Sequence, residues 1–252
     1  MKESHYDRIL CFGHRGAAGL APENTLAAFL LAAEAGADGI ECDAQLTRDG
    51  RVVLCHDETV DRTTNGHGRV TQFTLAELQR LDAGAWFAPR YAGERIPTLE
   101  QVVERLDERM LLNVELKRDA IRSDGLEDAV AGIVRRYHLY DRLIVSSFNH
   151  LALWRLRRID ARLHLGLLYA HDQPLYLRRA WMRHVIPCQA MHPEASLVSA
   201  AYMRWARRAG YKVIVWTVDE PAEMRRLIEL GVNAIISNRP DALRQELRRL
   251  KD

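Results

Sequence analysis

The sequence predicts a (β/α)8 TIM barrel with a small inserted subdomain after a hairpin on the second strand. The chain has 252 residues, which is the usual size of a single α/β barrel domain. Short apolar, β-branched runs alternate with longer amphipathic segments, and this alternation indicates a parallel sheet with helices outside it. A third observation, a tight hairpin, accounts for the one strand that exceeds eight.

Nine short apolar runs are predicted to be strands. They are Arg8–Gly13, Asp38–Asp43, Val52–Cys55, Met110–Leu116, Leu143–Ser146, His164–Leu168, Val185–Ala190, Lys212–Thr217 and Ala234–Ser237. Asp49-Gly50 is a strong hairpin signal, and the turn before Val52 is far too short for a parallel crossover. We therefore expect the third run to pair antiparallel with the second, which leaves eight parallel strands. A doubly wound open sheet is the alternative, but no G-x-G-x-x-G follows the first strand.

Seven amphipathic stretches are predicted to be helices. They are Thr25–Ala35, Leu126–Tyr137, Leu151–Ile159, Tyr176–Met182, Ser199–Ala209, Ala222–Leu230 and Asp241–Leu250. Asn24 or Thr25 can cap the first helix, and Gly36 can end it. We interpret the longest gap between barrel strands, roughly 57–109, as a subdomain inserted at the barrel mouth. Segments of this length between the elements of a compact domain are usually functional.

Composition narrows the class of protein. The 36 basic residues nearly balance the 34 acidic ones, so the net charge of +2 argues against a nucleic-acid-binding protein but permits a local anion pocket. No apolar run approaches the about 20 residues that a membrane-spanning helix needs, and the polar N-terminus does not resemble a signal peptide. Four scattered cysteines indicate reduced thiols rather than disulfides. We expect a cytoplasmic protein with no stable membrane anchor.

Acidic side chains are predicted to meet a histidine at the hairpin. Glu41 and Asp43 are two residues apart, so both carboxylates project from the same face of the second strand. Counting back from the turn places Asp43 roughly opposite Cys55 or His56. A tight hairpin therefore brings His56 beside two acids.

The predicted metal site uses acids from two strands. Barrel active sites lie at the C-terminal ends of the strands, where Glu115 also falls. Glu41, Asp43 and Glu115 form an all-oxygen ligand set of the kind favoured by Mg²⁺, Ca²⁺ or Mn²⁺. Arg15 and Lys117 offer an alternative, in which the acids form a buried ion network. Three acids against two cations leave a net negative charge, which a divalent cation would neutralise while polarising a phosphoryl oxygen.

Two histidines and two cations complete the predicted chemistry. His14 and His56 are candidates for general acid and base, because imidazole titrates near the operating pH, and the sequence does not assign the two roles individually. Arg15 can bind a phosphate through two parallel hydrogen bonds, and Lys117 can add a point charge.

Three further residues lie at or beyond predicted strand ends. Phe148 and Trp216 are predicted to form an apolar wall for a ligand, with core packing as the alternative. His192 follows a predicted strand, where a position at the edge of the mouth and a structural role are both open.

Together these motifs resemble the glycerophosphodiester phosphodiesterase family of the cytoplasmic bacterial type. The matching elements are His14-Arg15-Gly16, Pro22-Glu23-Asn24-Thr25, Glu41-x-Asp43, Thr47-x-Asp49-Gly50, Val53-x-x-His56-Asp57, Asp61-Arg62-Thr63-Thr64 with Gly66-x-Gly68, Pro97-Thr98-Leu99, Glu115-Leu116-Lys117, Ser146-Ser147-Phe148 and Trp216-Thr217-Val218. The similarity spans nearly the whole chain and is densest in its first third.

The resemblance implies a barrel with a subdomain inserted after the second histidine. It also implies hydrolysis of a small-molecule glycerophosphodiester to sn-glycerol 3-phosphate and an alcohol such as choline or ethanolamine. His14 and His56 would then be the acid–base pair. Glu41, Asp43 and Glu115 would hold one divalent cation, Mg²⁺ or Ca²⁺, and Arg15 and Lys117 would bind the phosphate.

The match has two departures and leaves alternatives open. Asn238 stands where the family often has aspartate, and Asp219 stands where asparagine is common. Either change could alter the polarity of the mouth or the preferred leaving group. Glu23 has either a site role or a helix-capping role. Two other functions remain: a phosphodiesterase of the lysophospholipase D type, and a non-catalytic barrel that binds a phosphorylated ligand.

Overall fold

A computed structural model describes residues 1–117 and 123–249, and in this part of the chain nine strands form one sheet. The strands are β1 (Leu10–Gly13), β2 (Gly39–Leu46), β3 (Val52–Leu54), β4 (Leu111–Leu116), β5 (Leu143–Ser147), β6 (His164–Tyr169), β7 (Ala190–Pro193), β8 (Lys212–Val215) and β9 (Ala234–Ser237). Their order is β1-β9-β8-β7-β6-β5-β4-β2-β3, and an additional β1–β2 pairing closes the sheet. All of these pairs are parallel except β2–β3. The protein is therefore a closed eight-stranded TIM barrel, which confirms the predicted fold class.

Helices surround the barrel in the described residues. They are α1 (Leu26–Glu34), α2 (Leu75–Leu78), α3 (Leu99–Arg105), α4 (Leu126–Arg136), α5 (His150–Ile159), α6 (Leu175–Arg178), α7 (Ala200–Arg208), α8 (Pro221–Leu230) and α9 (Pro240–Arg249). Thr25 rather than Asn24 caps α1, since its side chain accepts a hydrogen bond from the amide of Ala28. Leu250, the predicted end of the last helix, lies outside the described residues. None of the helices in the described residues is long and apolar enough to cross a membrane.

Two element predictions between β6 and β7 were wrong. The predicted strand Val185–Ala190 begins only at its last residue, because Val185 is 59% exposed and Pro187 has no amide hydrogen to pair in a ladder. The predicted helix Tyr176–Met182 is replaced by the short α6 and a 3₁₀ turn, Trp181–His184.

The hairpin follows the sequence prediction. Ala44 pairs with Leu54, and the carbonyl of Asp43 accepts a 2.9 Å hydrogen bond from the amide of Cys55. Gly50 closes the turn in the left-handed region, with φ of 73°. Asp43 therefore lies opposite Cys55, one residue before His56.

The segment between the hairpin and β4 contains a small apolar cluster of its own. Its buried residues are Val53, Cys55, Val60, Val70, Leu78, Ala83 and Ile96. The helix α3, which lies within the predicted insertion at 57–109, instead packs into the main core between sheet and helices through Leu99, Val102 and Val103. The last part of that range therefore belongs to the helical layer of the barrel.

The barrel interior explains why polar residues collect at the mouth. A buried apolar cluster includes one or two residues from each of six strands: Leu10, Phe12, Leu111, Ile144, Ala190, Ile214, Ala234 and Ile236. Side chains two positions further along a strand point to the same side. Those positions hold His14 after Phe12, Asn113 and then Glu115 after Leu111, and Asn238 after Ile236. The apolar layer thus fills the barrel, and the polar layer lies above it at the C-terminal ends.

Candidate active site

Three predicted metal ligands meet at the C-terminal ends of β2 and β4. One carboxylate oxygen from each of Glu41, Asp43 and Glu115 lies within 4.8 Å of the others. Asp43 and Glu115 are direct partners in the parallel β2–β4 register, so the sheet itself fixes their approach. Glu41 and Asp43 are 3% and 1% exposed, so water screens their charges weakly.

The cluster carries more negative charge than its neighbours neutralise. Burial, together with repulsion from Asp43 and Glu115, raises the pKa of Glu41 well above its usual value. Burial also raises the pKa of Glu115 to about 7, although the Lys117 ammonium acts in the opposite direction. The Oε1 atom of Glu41 is buried and accepts no hydrogen bond from the residues that the structure describes. An unpartnered buried oxygen within an all-oxygen set is what a divalent cation would satisfy, so the residues fit such an ion.

The alternative ion network is also present in part. Lys117 Nζ lies 2.9 Å from Glu115 Oε1 and 3.9 Å from Asp43 Oδ1. Arg15 Nε lies 3.2 Å from Asp43 Oδ2. These pairs bring both predicted phosphate-binding cations to the carboxylates, yet within residues 1–117 and 123–249 no group donates a hydrogen bond to Glu41 Oε1.

Hydrogen bonds to the β2 carboxylates hold Arg15 and Asn24 in strained backbone conformations. Arg15 and Asn24 both adopt the left-handed region, with φ of 49° and 57°. Such conformations cost about 1–3 kcal/mol each and persist where the surroundings over-determine them. Here the Arg15 amide donates to Glu41 Oε2 at 3.0 Å, and the Asn24 side chain donates to Asp43 Oδ2 at 2.8 Å. The two strained residues thereby fix both carboxylates of β2.

Glu23 contacts the arginines beside the carboxylates and does not cap α1. Its Oε1 accepts a 2.8 Å hydrogen bond from Arg15 NH1 and another of 2.8 Å from Arg62 NH2. Thr25 supplies the helix cap instead. Glu23 therefore links Arg15, which lies beside the carboxylates, to Arg62, which lies further from them.

His14 lies between the carboxylates and β9. Its Nε2 is 3.8 Å from Glu41 Oε2, and its Nδ1 is 2.7 Å from Asn238 Oδ1. Burial, reinforced by the positive charge of Arg15, lowers the pKa of His14 to about 4. The His14 ring is therefore neutral near pH 7 when no charged ligand is bound beside it.

His56 has a charged partner instead. Its Nδ1 is 2.6 Å from Asp57 Oδ1, and Arg62 Nε donates to Asp57 Oδ2 at 2.7 Å. The hydrogen bond from Arg62 holds the pKa of Asp57 well below its usual range. Burial lowers the pKa of His56, while the charge of Asp43 and the hydrogen bond to Asp57 oppose that shift. The ionised carboxylate of Asp57 thus lies against Nδ1 of the His56 ring.

Phe148 and Trp216, the two aromatic residues predicted at strand ends, lie side by side at the barrel mouth. Phe148 and Trp216 are half-buried and pack edge to face, with ring centroids 5.3 Å apart. Trp216 Nε1 donates to the carbonyl of His192 at 2.7 Å. The ring of His192 itself is buried within β7, and neither of its nitrogens has a partner among the described residues. Burial lowers its pKa to about 3, so it is a neutral interior group rather than an edge of the mouth.

Four residues that contact the site had no assigned role in the sequence analysis. They are Asp57, Arg62, Asp219 and Asn238. Two signals in the sequence point to the first two of these residues. Asp57 directly follows His56, and Arg62 is a charged residue within the motif Asp61-Arg62-Thr63-Thr64. Asp219 and Asn238 stand out in the sequence as departures from the family pattern, without a sign that they contact each other or His14.

Comparisons with known proteins agree with this geometry. Residues 14–242 match the sequence profile of the glycerophosphoryl diester phosphodiesterase family. The chain belongs to that family. Accordingly it is an enzyme, a phosphoric diester hydrolase.

Individual relatives cover almost the whole chain. It is 42% identical to a glycerophosphodiester phosphodiesterase of Caldanaerobacter subterraneus subsp. tengcongensis over 238 residues, 94% of this chain and 96% of the relative. Among solved structures, a phosphodiesterase of Oleispira antarctica in complex with the product sn-glycerol-3-phosphate superimposes with a TM-score of 0.83 at 31% identity, covering 97% of this chain and 98% of that one. A glycerophosphodiester phosphodiesterase of Agrobacterium tumefaciens gives 0.81 at 31% identity, covering 93% and 98%.

Proposed function

We propose that this enzyme hydrolyses glycerophosphodiesters to sn-glycerol 3-phosphate and an alcohol, using one divalent cation and two histidines. One observation carries the proposal: three clustered carboxylates and two histidines meet at one barrel mouth, with Arg15 and Lys117 beside the carboxylates. Membership of the family and the product named for the Oleispira structure support the choice of substrate.

Glu41, Asp43 and Glu115 would hold the cation, and Mg²⁺ or Ca²⁺ suits their oxygen atoms. When bound, this ion supplies charge neutralisation and polarises a phosphoryl oxygen. Arg15 and Lys117 flank the carboxylates and add positive charge where an anionic phosphodiester would sit.

The partners of the two histidines suggest different roles. His14 contacts a neutral amide through Nδ1, which leaves its Nε2, on the side of Glu41, to accept a proton from the nucleophile. His56 contacts the ionised carboxylate of Asp57, and this bond opposes the lowering of its pKa by burial, so we assign the role of proton donor to His56. Its Nε2 proton passes to the departing alkoxide as the phosphorus–oxygen bond to the alcohol breaks and the bond to the nucleophile forms.

The direct test is product release from a panel of substrates. Metal-free enzyme is given glycerophosphocholine, glycerophosphoethanolamine or glycerophosphoglycerol with Mg²⁺, Ca²⁺ or Mn²⁺ added singly, and glycerol 3-phosphate is measured. We expect release only with a divalent cation. Failure to release glycerol 3-phosphate with any of these ions and substrates would favour the non-catalytic barrel. In ³¹P NMR, a transient cyclic phosphate would identify the glycerol hydroxyl as nucleophile, and its absence together with ¹⁸O incorporation from solvent would identify water.

A lysophospholipid substrate is the second candidate, favoured by an aromatic group in the inserted segment. Trp86 is 41% exposed and packs edge to face on Phe87, which packs in the same way on Tyr91. The Tyr91 hydroxyl donates to the carbonyl of Leu20, which ties this group to the loop after β1. The same assay with lysophosphatidylcholine separates the two candidates, since a strong preference for the lipid would reverse our choice.

A further inference from the structure

A chain of hydrogen bonds leads from His14 to the protein surface. His14 Nδ1 lies 2.7 Å from Asn238 Oδ1, and Asn238 Nδ2 donates to Asp219 Oδ2 at 2.6 Å. Asp219 Oδ1 accepts two further bonds, from the Asn238 amide at 2.8 Å and the Ser237 hydroxyl at 3.0 Å. Three donors therefore fix the Asp219 carboxylate even though it is exposed to solvent.

Three adjacent strand ends bring these residues together. Gly13 is the parallel partner of Ser237, and the His14 amide donates to the Ser237 carbonyl at 2.8 Å. His14 and Asn238 are therefore neighbours at the ends of β1 and β9. Asp219 follows β8, where the amide of Val218 donates to the carbonyl of Ile236 at 3.0 Å.

The direction of each bond follows from the groups involved. An ionised carboxylate only accepts hydrogen bonds, so Asp219 turns the NH₂ group of Asn238 toward itself. The amide oxygen of Asn238 then faces His14, and an amide oxygen also only accepts. Nδ1 of His14 must therefore carry a hydrogen, and in the neutral ring Nε2 carries none.

Another neighbour of His14 favours the opposite tautomer. When Glu41 is ionised, its carboxylate, 3.8 Å from Nε2, stabilises a hydrogen on that nitrogen. A free asparagine could rotate its amide and accommodate either tautomer. Only the carboxylate beyond it removes that choice.

We propose that Asp219 and Asn238 are positioning residues that hold His14 as the Nδ1–H tautomer, with Nε2 open toward the carboxylate cluster. The inference rests on the proposed function, because an open Nε2 is what a general base at this position needs. Neither residue touches the reacting atoms in this scheme. Both act through the orientation and the hydrogen position of the imidazole.

An exchange of the two side chains tests the proposal. In Asp219→Asn, the new amide turns its oxygen toward Ser237 Oγ and the Asn238 amide, and its NH₂ group toward the Asn238 side chain. Asn238 must then rotate and present its own NH₂ group to His14, which moves the hydrogen of His14 to Nε2. In the double variant D219N/N238D, the introduced amide donates through its NH₂ group to the introduced carboxylate, whose other oxygen accepts again from Nδ1 of His14. The single change should invert the tautomer and the double exchange should restore it.

Steady-state kinetics and the ¹⁵N NMR shifts of His14 measure the effect of these substitutions. For Asp219→Asn we expect kcat to fall about 10- to 100-fold with KM changed less than about threefold, since outer-shell partners typically contribute that much. The double variant should recover at least half of the logarithmic loss. The ¹⁵N shifts of His14, assigned by the signal missing in His14→Gln, should show Nε2 protonated in Asp219→Asn and Nδ1 protonated in wild type and the double variant. Asp241→Asn is the matched control, because it removes one carboxylate at the same end of the barrel whose ion pair in the described residues is with Arg239, outside the chain of hydrogen bonds to His14.

Several results would overturn the inference. They are a kcat of Asp219→Asn within twofold of wild type, an unchanged His14 tautomer, or a double variant as impaired as the single one while its Tm is normal. The ¹⁵N measurement needs no turnover. An inactive wild type with the Nδ1–H tautomer would therefore contradict the proposed function without contradicting the role of Asp219 and Asn238.

Discussion

Replacing Arg62 by methionine should impair both stability and turnover. Arg62 donates to Asp57 through Nε at 2.7 Å and to Glu23 through NH1 and NH2, both at 2.8 Å. It thus joins the partner of His56 to the partner of Arg15. Methionine keeps much of the aliphatic stem of the side chain and removes the guanidinium.

The magnitude follows from the exposure of these groups. The Arg62 side chain is 45% exposed, so each of its two carboxylate pairs contributes about 0.2–1 kcal/mol after solvent screening. We expect the free energy of unfolding to fall by about 0.4–2 kcal/mol at pH 7. The effect on kcat should be larger, about 10- to 100-fold, because Asp57 and Glu23 lose the group that orients them.

The pH dependence has a definite sign. Arg62 keeps the pKa of Asp57 below its usual value, so this interaction stabilises the fold above the pKa of an unfolded aspartate, about 3.9. The stabilisation is lost as the pH falls toward the lower folded-state pKa. The difference between wild type and variant should therefore be full at pH 7 and shrink below about pH 4.

Urea unfolding at several pH values, together with initial rates of glycerol 3-phosphate release, checks both parts. Arg109→Met is the control, because Arg109 makes a similar two-bond pair with Asp107, 3.0 Å on each bond, just before β4 at the opposite end of the barrel. Equal kcat in Arg62→Met and Arg109→Met would refute the positioning argument. A stability difference that grows below pH 4 would refute the electrostatic one.

Three further predictions concern single positions. Glu41→Gln should raise the Tm of the metal-free enzyme at pH 8, because burial and repulsion raise the pKa of Glu41 in the folded state and this costs stability above the pKa of an unfolded glutamate. The same change should abolish the rise in Tm that we expect Mg²⁺ or Ca²⁺ to give wild type. Differential scanning fluorimetry with and without each ion checks both effects, and an undiminished metal response would contradict the ligand role. His56→Ala should lower kcat about 10²- to 10⁴-fold with the Tm preserved, whereas near-normal turnover would remove His56 from the reaction. Gly166→Ala should destabilise the fold by about 1–3 kcal/mol, because its Cβ would lie 2.3 Å from His192 Nε2. Chemical denaturation of the double variant with His192→Ala should show that part of the lost stability returns. If it does not return, the clash lies with another residue.

Local patterns were sufficient for much of the fold. The Asp49-Gly50 turn and the two-residue spacing of Glu41 and Asp43 act within one hairpin, so they predicted the antiparallel β3 and the shared face of the two acids. The helix α3 and the start of β7 were missed or misplaced. Both depend on which apolar residues pack against the barrel, and Val185 is apolar yet largely exposed.

The same division holds for the site. Residue types and strand ends predicted the three carboxylates and the cations beside them, because every strand of a parallel barrel delivers its last residues to one mouth. The partners of the histidines could not be found in this way. Hydrogen bonds at 2.6–2.7 Å need atomic placement, and only Asp57 is a sequence neighbour of the ring it contacts.

Sequence alone therefore determined the barrel, the family and the chemical groups at its mouth. Only the tertiary structure decided how those groups differ. Asp219 and Asn238 are two separate departures along the chain, but the β1–β9 register and the loop after β8 place them against each other and against His14. Strand register couples segments more than two hundred residues apart, such as His14 and Asn238, which no local pattern encodes, and that coupling distinguishes one histidine of the pair from the other.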